Sequence, residues 1–192
     1  MGLALAEGNI MTWANDDGLY QTNALKNCID LLNTLNKKDG ITVRYYEGID
    51  MVGQVPHNSY WVAHTHADLR LEGVPTNTIV APMGMYYTEY FIEMGGWDTR
   101  FEHLNMNCHD FAIRSQKNGG QIYLSPDLVL IQDHCPGYTG DHGPIEDAYW
   151  KNDKQLFEEI YKNKANYENR IVIDFNNWKA SAAVRKRRFK DE

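Results

Sequence analysis

Asp16 and Asp17 are the side chains best placed by sequence to do chemistry, in Trp13-Ala14-Asn15-Asp16-Asp17-Gly18-Leu19-Tyr20. The run before them, Gly8 to Ala14, reads as a short buried strand of apolar and β-forming residues. The run after them, from Thr22 to about Lys38, carries Leu25, Cys28, Ile29, Leu32 and Leu35 at helical spacing. Adjacent acids in a tight turn between a strand and a helix can hold a divalent cation. That cation can then bridge nucleotide phosphates, because Mg²⁺ prefers one or two carboxylates plus phosphate oxygens. The same Asn-Asp-Asp-Gly residues also suit a plain reversing turn.

A second segment bears on that choice. Gly95-Gly96-Trp97-Asp98-Thr99-Arg100-Phe101 is followed by Asn107-Cys108-His109-Asp110-Phe111-Ala112-Ile113-Arg114 and closes at Asn118-Gly119-Gly120. Phe111, Ile113 and the aliphatic part of Arg114 fit the first turns of a helix. Asp110 is then expected near its N-terminus, where the dipole and free N–H groups favour a carboxylate. Gly119 is the expected C-cap. Taken alone, this is an ordinary capped helix.

In this order, the two segments resemble the nucleotide-sugar glycosyltransferases of the GT-A fold, in particular the inverting glycosyltransferase family 2. That family places an Asp-x-Asp or Asp-Asp turn after a strand. Downstream it has a Gly-Gly-Phe/Trp-Asp stretch, then a Glu-Asp pair opening a helix with an Arg in its first turns. The corresponding residues here are the lead-in Ala6-Glu7-Gly8-Asn9-Ile10, then Asn15-Asp16-Asp17, Gly95-Gly96-Trp97-Asp98 and His109-Asp110 through Arg114, a match over about residues 1 to 135. His109 stands where the family has Glu. The family also begins with a βαβα unit that binds base and ribose. Met1 to Gly8 reads instead as the last turns of that unit's second helix. The resemblance therefore implies an α/β chain, a mixed sheet flanked by helices, corresponding to the C-terminal two-thirds of a GT-A domain and truncated at its N-terminus.

What the resemblance implies for chemistry is inverting transfer of a sugar from a nucleoside diphosphate to an acceptor hydroxyl. Asp17 would hold Mn²⁺ or Mg²⁺, and Asp16 would touch the ribose or a metal-bound water. Asp110 would be the general base, which works only within hydrogen-bond reach of the acceptor hydroxyl. Its carboxylate is therefore expected to share a cleft with that of Asp17. Trp97, Asp98 and Tyr86 would line the acceptor side, since flat apolar faces with nearby polar groups suit sugar rings. His134, just past the apolar run Leu128–Ile131, sits where such enzymes place a histidine that completes the metal's coordination; His142 is a weaker candidate in the following Gly-rich loop. The expected partners are a nucleotide-sugar donor and a saccharide or lipid-linked acceptor.

Composition sets limits on other readings. The chain has 192 residues, 43% hydrophobic and 12% aromatic, which suits one domain with a proper core rather than a disordered chain. Its net charge of −7 argues against nucleic acid as the main partner. No apolar run reaches the length of a bilayer span, and the N-terminus lacks the pattern of a signal peptide. Cys28, Cys108 and Cys135 form no CxxC pair, which points to a reducing cytosol. The basic tail Arg185-Lys186-Arg187-Arg188 suits a solvated end or an anionic inner membrane face. The expected division is a domain over 1–165 and an extension over 166–192.

Elsewhere, strands are expected at Ile41–Tyr46, Ser59–His66, Thr78–Met83, Gln121–Leu124 and Leu128–Gln132. Helices are expected at Tyr87–Glu93 and Ile145–Lys164, the latter burying Ala148, Leu156, Phe157, Ile160 and Tyr161. Two further readings stay open. One is a non-catalytic truncated module that keeps the sheet. The other is a metal hydrolase built on His64, His66 and Asp68, because alternate residues of a strand share a face. Without the βαβα unit, an exposed sheet surface is expected to drive self-association.

Overall fold

The computed structural model describes residues 7–13, 18–47, 59–61, 64–65, 71–132 and 147–169. In chain order these form β1 (Ile10–Thr12), β2 (Gly18–Tyr20), α1 (Ala24–Leu32), β3 (Gly40–Glu47), β4 (Ser59–Trp61), β5 (His64–Thr65), β6 (Ile79–Val80), β7 (Gly84–Tyr87), α2 (Thr88–Glu93), α3 (Leu104–Lys117) and β8 (Ile122–Gln132). A π-helical stretch (Tyr149–Asp153) leads into α4 (Lys154–Tyr161) and α5 (Lys164–Asn169). The class is mixed α/β, as expected. Among the described residues no helix is long and apolar enough to cross a membrane.

The main sheet runs β1-β7-β3-β8-β2, and the β3–β8 pair is its parallel element. Two strands share the other edge of β3. Antiparallel β7 covers Ile41 and Thr42, and β4 covers Tyr45 to Glu47. Alternation gives the sheet two faces. Ile41 pairs with Met85, and Tyr87 donates from its hydroxyl to Leu32 O of α1 at 3.3 Å, so the odd-numbered residues of β3 and β7 look toward α1. Tyr86, on the opposite face, packs edge-on against Phe111 of α3 at 4.8 Å between ring centroids. Gly40 leaves space for that Tyr86 ring: a Cβ there would lie 2.0 Å from Tyr86 Cε1.

Several boundaries differ from the sequence expectation. The first helix ends at Leu32 and buries Ala24, Cys28 and Leu32, leaving Ile29 exposed off that stripe. The two expected strands near the C-terminal end are one strand, β8, with irregular register where it passes Arg44. There Ser125 Oγ accepts from Arg44 N at 2.9 Å and donates to Asp127 O at 2.8 Å, so the hydroxyl replaces a ladder partner. The long helix expected to Lys164 is broken at residues 162–163, and Ala148, Phe157 and Tyr161 are its buried side chains. A second core gathers Leu71, Val74, Val80, Phe101, Ile113, Phe157 and Tyr161 between α3 and α4. Among the described residues the exposed large apolar side chains are Leu19 and Tyr20 on β2, Leu124 on β8 and Ile29 on α1.

Candidate functional site

The Gly-Gly-Trp-Asp segment reaches the end of β1 at Trp13. Trp13, the last described residue before the Asp16–Asp17 turn, stacks on Tyr86 with ring centroids 6.0 Å apart and 13° between planes. It meets Trp97 edge-on at 5.4 Å, and its Nε1 donates to Pro82 O at 3.3 Å. Phe91 closes the aromatic group against Trp97 at 5.8 Å and Phe111 at 4.3 Å. Gly84 is the floor beneath: a Cβ there would lie 2.6 Å from Tyr86 Cε2 and 3.2 Å from Trp13 Cη2. Asp16, Asp17, His134 and His142 lie outside the described residues, and so does any distance from Asp17 to Asp110.

Trp97 is held by a rigid turn. Gly95 and Gly96 both have positive φ, 83° and 66°, a pair of conformations that glycine alone adopts without strain. Their carbonyl side is fixed by Arg114, which donates from Nη1 to Met94 O and from Nη2 to Gly96 O, both at 2.6 Å. Arg114 in turn donates from Nε to Asp110 Oδ2 at 2.7 Å. The second oxygen of Asp110 accepts from the Tyr161 hydroxyl at 2.6 Å. Asp110, Arg114 and Tyr161 are all buried. One ion pair therefore ties α3 to the Gly-Gly turn and to α4.

Asp110 is consequently not where the sequence suggested. The helix begins at Leu104, not near Asp110, because two other groups cap it. His103 Nδ1 accepts from Asn105 N at 3.2 Å. The buried Asp153 carboxylate accepts from Glu102 N at 2.9 Å and His103 N at 2.5 Å. Asp110 thus sits mid-helix with both oxygens engaged and no exposure. In this arrangement its carboxylate joins Arg114 and Tyr161.

The expected acceptor residues divide in the same way. Trp97 is partly exposed. Asp98 is buried, and its carboxylate accepts from Arg100 N, Nε and Nη2, the last at 2.6 Å. Tyr86 lies beneath Trp13 with 1% exposure. Burial pushes its phenol well up from the ordinary value. Cys108, beside Trp13, is a buried thiol raised well above the usual range by desolvation.

Sequence reasoning missed three groups here. Trp97 Nε1 and Asn107 Oδ1 are buried without a hydrogen-bond partner among the described residues, though Asn107 Nδ2 donates to Phe101 O at 3.4 Å. Tyr161 was expected only as core. The i,i+4 spacing of Asp110 and Arg114 was the available signal for their pairing. For the histidine reading, His64 lies on β5 paired with Val80, while His66 and Asp68 lie outside the described residues. Among the described residues no three His, Cys, Asp or Glu side chains converge as a metal site. A separate concavity of about 910 Å³ opens at the opposite end of β1, lined by Asn9, Lys37, Tyr87, Glu89 and Glu93.

No protein-family model matches the chain, and no curated protein matches it in sequence. Among solved structures the chain is similar to S. aureus TarS 1–349 in complex with UDP-GlcNAc, at 16% identity and a TM-score of 0.47. That similarity covers 93% of this chain and 51% of the TarS chain, so the chain spans about half the length of that structure.

Proposed function

We propose that this chain is part of a GT-A glycosyltransferase that moves a sugar, with inversion, from a nucleoside-diphosphate donor to an acceptor hydroxyl. One observation carries the reading. Trp13, three residues before Asp16 in sequence, packs edge-on against Trp97 of the Gly-Gly-Trp-Asp segment. This contact supports a reading in which the Asp16–Asp17 segment and the Gly-Gly-Trp-Asp segment serve one site, as a donor site and an acceptor site must.

In this proposal Asp17, with His134, forms a carboxylate and imidazole donor set suited to Mn²⁺, or with waters to Mg²⁺. Such an ion, when bound, neutralises charge on the leaving diphosphate. Asp16 contacts the ribose. Trp97 offers the partly exposed aromatic face that a saccharide or lipid-linked acceptor would pack on, with Asp98 fixing Arg100 beside it. Asp110 acts through Arg114 by holding the Gly95-Gly96 turn, and so the Trp97 ring, in place.

The test is nucleoside-diphosphate release from a panel of nucleotide-sugars with Mn²⁺ and acceptor. Asp17→Asn should abolish release, and Trp97→Ala should raise KM for the acceptor at least tenfold with a smaller effect on kcat. Release that is indifferent to both substitutions overturns the proposal. The sealed state of Asp110 favours a second reading, a module that binds without turning over. Donor binding lost in Asp17→Asn, with no release by the parent protein, would select it.

A further inference from the structure

We propose that the guanidinium of Arg44 is an anion-binding group of the site beside Trp13, seating the diphosphate of the nucleotide-sugar donor. The inference rests on the transferase reading for the identity of the anion. It rests on the structure for the place.

Arg44 lies on the α3 face of the sheet. Ile41 pairs with Met85 toward α1, so Thr42 and Arg44, at even positions of β3, look the other way, with Tyr86 and Trp13. Thr42 pairs with Gly84, and the Trp13 ring covers Gly84, 3.2 Å from where its Cβ would be. Arg44 is one same-face step beyond Thr42, roughly 7 Å along the strand. That step runs toward the C-terminal end of β1, because β1 and β3 both run antiparallel to β7. Arg44 therefore lies on the sheet face that carries the aromatic group, beyond Gly84 toward the C-terminal end of β1.

The strand is irregular at this residue on both edges. On one edge β7 gives way to β4 between Thr42 and Tyr45. On the other the register with β8 shifts on either side of Arg44, and its N–H bonds the Ser125 hydroxyl instead of a ladder carbonyl. The side chain is half-buried. Its Nε is buried and, among the described residues, has no hydrogen-bond acceptor and no carboxylate to pair with.

An arginine used structurally looks different in this same chain. Arg114 has every nitrogen directed at an acceptor, and Arg100 is closed on Asp98. A buried guanidinium N–H without an acceptor is costly to keep unless something supplies one. The fork of a guanidinium matches phosphate oxygens in two parallel hydrogen bonds, which an ammonium cannot reproduce. In a chain of net charge −7, a cation at the site is what makes a polyanionic group bind at all.

The probe is inorganic pyrophosphate, followed by calorimetry and by the shift it causes in thermal unfolding of the full chain. Parent protein, Arg44→Leu, Arg44→Lys and a Lys38→Ala control are compared. The proposal expects pyrophosphate to stabilise the parent and the control alike. Affinity should fall at least tenfold in Arg44→Leu and partway in Arg44→Lys, because one charge-assisted pair is worth about that much. Without pyrophosphate, Arg44→Leu should unfold at or above the temperature of the parent, since it removes an unpartnered polar group. A lowered midpoint would mark Arg44 as structural and overturn the proposal. So would equal pyrophosphate affinity in parent and Arg44→Leu, or no binding by the parent. Arg44-dependent pyrophosphate binding without release from any nucleotide-sugar would keep the anion site and remove the transferase reading.

Discussion

The two faces of the central sheet are built to different ends. Toward α1 the layer is mainly aliphatic, Ala24, Cys28 and Leu32 with Ile41, Val43 and Met85, and the hydroxyl of its Tyr87 is satisfied by Leu32 O and Asn33 Oδ1. Toward α3 it is aromatic and carries charge: Trp13, Tyr86, Phe91, Trp97 and Phe111 lie beside the Asp110–Arg114 pair. Trp97 Nε1, Asn107 Oδ1 and Arg44 Nε, buried and unpartnered among the described residues, belong to this second face. An apolar layer needs only shape. A layer with buried polar atoms either satisfies them internally or holds them for a ligand. The α3 face satisfies some of its groups and leaves others open, and in the proposals above that division separates scaffold from site.

Breaking the scaffold half should have the largest effect. Asp110→Ala leaves Arg114 buried without its counter-charge, which should cost about 3–5 kcal/mol in urea unfolding. The loss also frees the Gly95-Gly96 turn, since Arg114 is its tie. Replacing both partners, Asp110→Leu with Arg114→Met, should recover most of that stability while leaving the turn loose. Stability and any donor or acceptor binding should thus separate in the double variant. If Asp110→Ala costs less than about 1 kcal/mol, the pair is not the anchor described here.

Much of this architecture can be read along the chain. Strand alternation over Ile41–Tyr46 and the apolar spacing over Tyr87–Glu93 match β3 and α2 within a residue or so, because both elements bury a regular stripe. The Gly95-Gly96 turn and Gly119 were legible because positive φ leaves a composition mark. The placement of Asp110 was not. Its second partner, Tyr161, is 51 positions away, and the capping of α3 by Asp153 comes from equally far. A carboxylate in sequence carries no mark that tells a buried anchor from a solvent-facing base; burial by a later helix decides it. Arg44 escaped notice for a related reason, because its vacancy arises from strand pairings on both edges.

A reciprocal exchange sharpens the comparison at smaller cost. Asn107→Leu is nearly volume-conserving and removes an acceptor that has no partner along with one long bond to Phe101 O, so its effect on unfolding should stay within about 1 kcal/mol. Leu32→Asn places the same amide in the tightly packed core of the α1 face, where Leu32 is fully buried. It should cost about 2–3 kcal/mol from the buried amide and lost packing. Equal costs for the two exchanges would erase the distinction between the faces.

The smallest expected effect is a titration that reads both faces at once. Burial, with the negative charge of Asp127 adding to it, pushes the Cys28 thiol on the α1 face from 9.0 up to about 11. On the other face burial raises Tyr86 and Cys108 further. In each case folding favours the protonated, neutral form, so the folded state binds more protons than the unfolded chain at alkaline pH. The contribution from Cys28 is complete below about pH 9 and is lost as the pH rises toward about 11. Stability should therefore fall across that window, and Cys28→Ala should flatten the part of the slope that begins near pH 9. Tyr86→Phe should flatten the part that begins near pH 10, the ordinary value for a tyrosine. Because the two groups lie on opposite faces of the sheet with no shared partner, their effects on the slope should add. A pH profile unchanged by either substitution would mean that these groups meet water in the native state, and that neither face is as closed as its packing indicates.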